Sequence, residues 1–440
     1  MGFGVDKNSL IAYSCLIART LVDRPEHEDQ ALTVNEKPLL IRRNMTDVLR
    51  ILQQKHPVSR AEIARISNLT PATVSRVVAE LNKLGVTREQ GPGVSIGGRR
   101  PILIEFNPDA FYLAGLDLGI TKVICLVIDL HGNIISKDKL DIDINAGREW
   151  ILKQMFRVTD KALGNLSRSV RNRLAGVGVS LSGLIDAHKG ISVFSPSMPN
   201  WRNVPIVKLF ENEFHLPVFM ENDARAMALA EARFGAGREY DNLFCINVGH
   251  GIGSGIIINK QLYRGKDLTA GEFGHMTLMP SGPLCHCGNR GCLDVMAGGH
   301  AIAASAIRVV NSGADTLIRE LAEGDIKRIS ARVVAQAAKR GDQIALQLLN
   351  EVGRYLGIAI ANITNLLNPE IIVIGGGVAN AGEFFFDEIR DTIGKRAFTT
   401  MVKTPEIVPS ALGEDASSIG AAALVLYETI ATKGLPIERG

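Results

Sequence analysis

Aromatic residues make up only 5% of this 440-residue chain, and two are tryptophans. With 46% hydrophobic residues and 44 glycines, the composition suits a compact α/β protein built from aliphatic side chains. Cysteines are few. Three of the six sit in one cluster, while Cys15, Cys125 and Cys245 lie far apart in apolar surroundings. A disulfide scaffold is therefore excluded, and reduced core thiols of a cytosolic protein are expected. No apolar run reaches the ~18 residues that a membrane span needs. The first residues also lack an apolar stretch with a small-residue cleavage site, so no signal peptide is expected. Net charge is only +3, but it is unevenly spread. Residues 41–105 carry eleven Lys/Arg against five Asp/Glu, a local +6, so a polyanion partner is expected for the front of the chain alone. At about 150 residues per domain, the length allows two or three domains.

The most informative stretch is GEFGHMTLMPSGPLCHCGNRGC, residues 271–292. His275, Cys285, Cys287 and Cys292 form a complete ligand set for tetrahedral structural zinc, and Gly282, Pro283, Gly288 and Gly291 let the backbone wrap an ion. Four protein ligands leave no open position for chemistry. The cluster would instead fix Glu272 and Asp294, the carboxylates flanking it. Ordinary free thiols beside a buried imidazole are the alternative, which three cysteines in eight positions disfavour.

The basic front segment reads as helices and a wing. Residues 46–54 put Val48, Leu49, Ile51 and Leu52 on one stripe. Ser59 is expected to cap a short helix, with Glu62 closing a capping box, and that helix should bury Ile63, Ala64 and Ile66. After the Asn68-Leu69 turn, Thr70 caps a third helix with Pro71 at its first position. Val74, Val77, Val78, Leu81 and Leu84 keep helical rhythm until Gly85. Such a unit reads DNA. Ala72, Thr73, Ser75 and Arg76 would face base edges, and Arg60, Arg65 and Lys83 would meet phosphates. Extended pieces near Val86–Gln90 and Ile102–Phe106 flank GPGVSIGGRRP, whose Arg99 and Arg100 suit a narrow A·T-rich minor groove. A three-helix interaction module is the alternative. Residues 1–40 read as a poorly ordered extension.

The rest of the chain repeats one plan. Residues 112–135 give an apolar strand, a turn at Asp117, Gly119 and Thr121, and a second strand. Residues 243–265 give LFCINVG, the turn HGIGSG with Gly249, Gly251 and Gly253, and another strand. Two similarly built lobes are expected. Gly375, Gly376 and Gly377 follow the strand IIVIG, and all three turns suit a nucleotide cleft or its remains. Between the halves, VFMENDARAMALAEARFG brings Asn222 and Asp223 to the start of a helix. Asp223 is there placed either to accept a proton from a sugar hydroxyl or to cap the helix.

These motifs resemble the ROK family of repressors, open reading frames and kinases over residues 45–425. The carriers are ExGH…CxCGxxGC at 272–292, END at 221–223 and GGRRP at 97–101, with GVGVSLSGLID (176–186), SPSMPNW (195–201) and LGEDASSIGAAAL also similar. The resemblance implies an α/β, two-lobed actin/hexokinase-like (ribonuclease H-like) body preceded by an all-α winged helix-turn-helix domain. The expected divisions are 41–107 for the head, 110–235 for lobe 1 and 236–425 for lobe 2, with the C-terminal helix able to return to lobe 1. It also implies that Asn222, Asp223, Glu272 and Asp294 bind the hydroxyls of a pyranose. His275 would ligate zinc with its ring against the sugar, and Ser180, Ser182 and Gly183 would line the pocket. Asp223 would be the base in a kinase member, with ATP and Mg2+ as cofactors only in that case.

Departures from the family pattern decide between its branches. Ile120 stands where kinase members usually have a second glycine, and His250 replaces a threonine. Asp294 is one methylene shorter than the usual glutamate, and Ser182 replaces a proline. The sugar pocket is kept while the phosphate loops are eroded. The expectation is a cytoplasmic, sugar-responsive DNA-binding repressor of carbohydrate genes, such as those of xylose metabolism. It would act as a homodimer or homotetramer on a double-stranded operator, with a sugar or sugar phosphate as effector. The alternative is an ATP-dependent sugar kinase carrying a DNA head; docking on a transport protein ranks third.

Overall fold

A computed structural model describes residues 37–55, 57–93, 100–398 and 404–430. Cys15, Arg99 and residues 1–36 of the expected extension lie outside them. The front of the chain folds as α1 (Lys37–Gln54), α2 (Arg60–Ser67) and α3 (Pro71–Lys83), with strands β1 (Val58–Ser59), β2 (Thr87–Pro92) and β3 (Ile102–Phe106). The three strands form one antiparallel sheet in the order β1-β3-β2. Thr70 accepts a hydrogen bond from the Thr73 amide, and Asn68 makes the tight turn at φ 54°. Val48, Leu52, Ile63, Val74, Val78, Leu81, Ile104 and Phe106 are fully buried between helices and sheet.

Three details differ from expectation. Helix α1 begins at Lys37, earlier than its apolar stripe indicates. Ile66 is 41% exposed, because α2 gives the core only the turn holding Ile63 and Ala64 before the chain leaves at Asn68. The capping box is half made. Ser59 Oγ accepts from the Glu62 amide, but the Glu62 carboxylate turns to Lys55 Nζ at 2.7 Å.

The first lobe comprises β4 (Tyr112–Leu118), β5 (Lys122–Ile128), β6 (Ile134–Asp141), α4 (Arg148–Gly164), α5 (Arg168–Arg171), β7 (Leu174–Leu181), β8 (Leu184–Asp186), β9 (Ile191–Phe194), β10 (Arg202–Val204), α6 (Ile206–Phe214), β11 (Val218–Asn222) and α7 (Asp223–Phe234). The second comprises β12 (Leu243–Val248), β13 (Ile252–Ile258), β14 (Gln261–Tyr263), α8 (Leu293–Ala297), α9 (Gly299–Asn311), α10 (Leu317–Leu321), α11 (Ala331–Lys339), α12 (Gln343–Leu367), β15 (Ile371–Gly375), α13 (Glu383–Arg396), β16 (Glu406–Pro409) and α14 (Ala416–Glu428). The two large sheets have one topology. Lobe 1 runs β6-β5-β4-β7-β11 and lobe 2 runs β14-β13-β12-β15-β16. In each, an antiparallel three-strand meander is extended by two parallel strands. The repeat seen in the sequence is thus a repeat of folds.

The helices that end the two halves cross over. Helix α7 packs on β12 and β13 of the second sheet, α14 packs on β4 and β7 of the first, and the two helices pack against each other. Small residues permit this. A Cβ at Gly178 would lie 1.7 Å from the Ala421 carbonyl oxygen, and one at Gly420 would lie 1.8 Å from that of Ala226. Alternation along β4 separates two layers. Leu113 faces α14 and the head, while Ala114, Leu116 and Leu118 face α4 and α6. The core of the head runs on into lobe 1 through Leu113, Leu126, Ile128, Ala175, Ile419, Ala422, Val425 and Leu426. No helix among the described residues is long and apolar enough to cross a membrane.

Backbone atoms, unlike a flexible side-chain end, cannot yield to an added methyl group. Gly178→Ala is therefore expected to destabilise the protein by about 2–4 kcal/mol, measured by urea denaturation, whereas Gly164→Ala, with open space around it, should have little effect.

Candidate functional site

Strand register brings the lobe 1 residues together. Asp117, Ser180 and Glu221 are aligned across β4, β7 and β11, as are Leu118, Leu181 and Asn222. The carboxyl ends of three parallel strands thus open on one crevice, where open α/β sheets place ligands. Asn222 takes the helix cap: its Oδ1 accepts from the Ala224 and Arg225 amides at 3.0 and 3.4 Å. Asn222, then, is the residue that caps α7. The Asn222 Nδ2 reaches the Gly183 carbonyl at 3.5 Å. Beneath, Glu221 is held by Arg225 at 2.7 Å and by Arg264 of lobe 2 at 2.6 Å, and these guanidiniums keep its buried carboxyl below the usual range.

The crevice is rich in carboxylates. Burial, together with the negative charge of Asp223, raises Asp117 to about 7, although Ser180 Oγ donates to it at 2.7 Å. Asp223 is also raised, first by burial and in smaller part by Glu272 of the other lobe. The hydroxyls of Ser182 and Ser195 are buried without a hydrogen-bond partner. Ser195 was not singled out as a pocket residue from sequence. The Phe194-Ser195 backbone packs so closely on Gly183, at φ 99°, that a Cβ there would lie 2.4 Å from the Phe194 carbonyl oxygen. An orphaned pair of hydroxyls beside carboxylates suits a polyhydroxylated ligand, whose groups both donate and accept.

On the lobe 2 side, the Cys/His segment folds back on itself. Leu293 N donates to the Met276 carbonyl at 2.9 Å and Cys285 N to that of Asn289 at 2.7 Å. Gly291 has no room for a side chain, since a Cβ would lie 1.6 Å from the Met279 carbonyl oxygen. His275, Cys285, Cys287 and Cys292 bring one ligand atom each within 4.8 Å of one another. His275 Nδ1 is 3.6 Å from Cys285 Sγ, and Cys287 Sγ is 3.8 Å from Cys292 Sγ. A tetrahedron with metal–sulfur bonds near 2.3 Å has edges of about 3.8 Å, so this Cys/His cluster fits a metal ion. It fixes exposed Glu272 just ahead of His275, and buried Asp294 in the first turn of α8. Asp294 Oδ1 accepts from the Ile252 amide at 2.7 Å, tying it to the glycine turn of lobe 2. Its Oδ2 is buried without a hydrogen-bond partner, 3.7 Å from His286 Nδ1 and 3.8 Å from His300 Nε2. The sequence reading missed both imidazoles, although His286 sits inside the Cys-His-Cys run.

The glycine turns converge less openly. Gly119 N donates to the Lys122 carbonyl, closing the β4–β5 hairpin around Ile120 and exposed Thr121. Gly249 N bonds the Gly251 carbonyl, Gly253 packs on Ala224, and exposed His250 stacks near His300 with ring centres 5.4 Å apart. Gly375 lies against Met227, Gly376 at φ 84° against Val248, and Gly377 is open. In the head, Ala72, Ser75, Arg76 and Arg100 are exposed, and Thr73 is half-buried beside its cap Thr70. Arg60 is not free for a phosphate here: it pairs with Glu89 of β2 at 2.7 Å, and its neighbour Ser59 is occupied in capping α2.

The ROK family profile matches residues 113–428, and a winged helix-turn-helix DNA-binding profile matches 41–86. The chain belongs to the ROK family. It is 32% identical over 392 residues to a xylose repressor of Caldicellulosiruptor bescii, covering 89% of this chain and 97% of that protein. Its fold matches a crystal structure of a ROK family transcriptional regulator, a homologue of the E. coli MLC protein. That match has a TM-score of 0.73 at 27% identity, over 89% of this chain and 98% of the other. A ROK family glucokinase from Streptomyces griseus, solved with glucose and AMPPNP, matches only the body, with a TM-score of 0.65 and 32% identity over 71% of this chain and 98% of that one. The extra part of this ROK chain is the winged head.

The raised Asp117 carries a pH prediction. The fold favours its neutral form, so its contribution to stability is full below the ordinary value of 3.8 and is lost as pH rises through about 7. Asp117→Asn should therefore be more stable than wild type at pH 8 by about 1–3 kcal/mol, with the advantage gone at pH 4 in parallel urea titrations.

Proposed function

We propose that this protein is a sugar-responsive transcriptional repressor of genes for carbohydrate uptake or catabolism. One observation carries the reading: a winged helix-turn-helix head shares a continuous apolar core with a two-lobed body whose crevice gathers carboxylates and two orphaned serine hydroxyls. Asn222, Asp223, Glu272, His275 and Asp294, with Ser182, Gly183 and Ser195, are the proposed sugar contacts. Charged carboxylates in a sheltered cleft bind hydroxyls strongly. In the head, Thr73, Ser75 and Arg76 read base edges from the exposed start of α3, while Thr70, Arg100 and Arg99 meet the backbone or minor groove. The relative named as a xylose repressor makes pentoses the first effectors to try. A homodimer or homotetramer supplies the two-fold symmetry that a palindromic operator requires.

The metal proposed for the Cys/His cluster is structural zinc. His275, Cys285, Cys287 and Cys292 would hold it, and its service is to keep Glu272 and Asp294 in place. A second reading, that of a sugar kinase, draws on the Asp117–Asp223 carboxylate pair at the cleft. With Ile120 and His250 in the phosphate turns, ATP and Mg2+ are not expected to support turnover. A coupled ADP-release assay across hexoses and pentoses should stay flat; turnover that disappears in Asp223→Ala would reverse the assignment.

Three further outcomes are expected. Fluorescence anisotropy on DNA from the upstream region of its own gene, at fixed salt, should show specific binding that a sugar weakens, and Asp223→Asn should bind the same DNA without responding. Arg76→Ala should weaken operator binding by about 1–3 kcal/mol and relax selectivity at one position. Cys287→Ser should lose bound zinc in elemental analysis together with the sugar response, and retention of both would refute the structural role.

A further inference from the structure

If a sugar governs the grip on DNA, the crevice must communicate with the head, and α7 runs from one to the other. It begins at the pocket, with Asn222 as cap and Asp223 as first residue. After twelve residues and about 18 Å of helix, it ends beside the head. There Arg233 Nη1 donates to the Gln53 carbonyl at 2.9 Å, in the last turn of α1. Arg233 is 7% exposed, and its guanidinium carbon lies 5.7 Å from the ring centre of Phe106 on β3 and 5.3 Å from that of Phe234. Its Nε and Nη2 are buried without a hydrogen-bond partner. Pure stability does not explain such a residue, since a buried charge with unsatisfied N–H groups is costly and an apolar side chain of similar volume would usually serve as well or better.

The helix that carries Arg233 is fastened to the other lobe. Gly253 and Gly255 of β13 lie directly under Ala224 and Ala228 of α7. At the pocket end, Glu221 is gripped by Arg264, which in turn pairs with Glu428. The core of the head is continuous with the lobe 1 sheet and α14, and α7 enters it at Ala230, with Phe234 packed against it. The Arg233–Gln53 bond therefore joins the head to a helix that packs on the lobe 2 sheet and whose first residue lies in the crevice. A ligand that draws on Asp223 shifts α7 along its length and so moves Arg233 with respect to Gln53.

We infer that Arg233 is a positioning residue that transmits occupancy of the crevice to the DNA-binding head, with α7 as a rigid strut between Asp223 and the Gln53 carbonyl. This rests on the repressor reading. It adds to that reading a residue far from both ligands that sets the coupling between them without setting either affinity, since coupling between sites is a quantity separate from each binding strength.

The test uses the full-length chain as wild type, Arg233→Met, Arg233→Gln and Arg233→Lys. Operator affinity is measured by anisotropy with and without a saturating sugar from a panel of pentoses, hexoses, N-acetylhexosamines and their phosphates. Sugar affinity is measured separately by calorimetry. In wild type the sugar should change operator affinity by about tenfold or more. In Arg233→Met and Arg233→Gln that ratio should fall below about twofold while sugar affinity stays at the wild-type value. Arg233→Lys, which keeps a charged donor on a long stem, should restore most of the ratio. If Arg233→Met does not fold, Arg233→Gln carries the same expectation. A full ratio in either neutral variant overturns the inference, as does a ratio lost equally in the lysine variant. A wild-type protein that binds operator but ignores every sugar defeats the repressor reading itself, and the inference with it.

Discussion

Two helices lie between two sheets, and their crossing governs everything else in this molecule. The approach of α7 to α14 and of each to the opposite sheet is so close that backbone carbonyls occupy the space a side chain would need, at Gly115, Gly178, Gly255 and Gly420. Dispersion contacts at this range are individually small and collectively large, and they tolerate no added atom. The crossing fixes where Asp223 begins, because α7 can sit in only one register over Gly253 and Gly255. It also fixes the floor under Asp117 and Ser180, where Ser180 Oγ lies 3.3 Å from the Ser417 carbonyl and Ser417 Oγ donates to the Asp223 carbonyl at 3.2 Å.

Upon that frame the site is assembled from groups that resist being together. Asp117 and Asp223 are half-buried near each other, and Glu272 adds further negative charge from across the cleft. The Cys/His loop holds Asp294 with one oxygen satisfied by a backbone amide and the other facing two imidazoles. Carboxylates beside the orphaned hydroxyls of Ser182 and Ser195 suit a ligand that both donates and accepts several hydrogen bonds, as the proposed sugar does.

Much of this was legible in the sequence, for reasons that differ by element. The Cys/His cluster was readable because metal ligation demands residue types at short spacing, and the recognition helix because caps and helical rhythm are local. The twin lobes were readable as repeated strand-turn-strand patterns, though the strand order that equates them was not. Ile66 misled because periodicity says which face a residue takes but not how far the neighbouring helix extends to cover it. Glu62 misled because Lys55, two elements away in the fold, offers it a better partner than the backbone of Ser59. Ser195, His286 and His300 were overlooked because a common residue acquires meaning at a pocket only from what the fold brings beside it. Arg233 was invisible for the same reason: in sequence it is one more arginine at the end of an alanine-rich helix.

The exchange of helices between the lobes has a bearing on how the protein is made. The apolar core under the DNA-reading head includes Ile419, Ala422, Val425 and Leu426, residues translated more than 300 positions after the head itself. During synthesis, then, the head and the first sheet emerge with one flank bare, and that flank stays bare until α14 leaves the ribosome. A nascent or prematurely ended chain displays the reading helix without its foundation. Only once α14 is in place, with the crevice between the lobes already enclosed, is that helix supported from below.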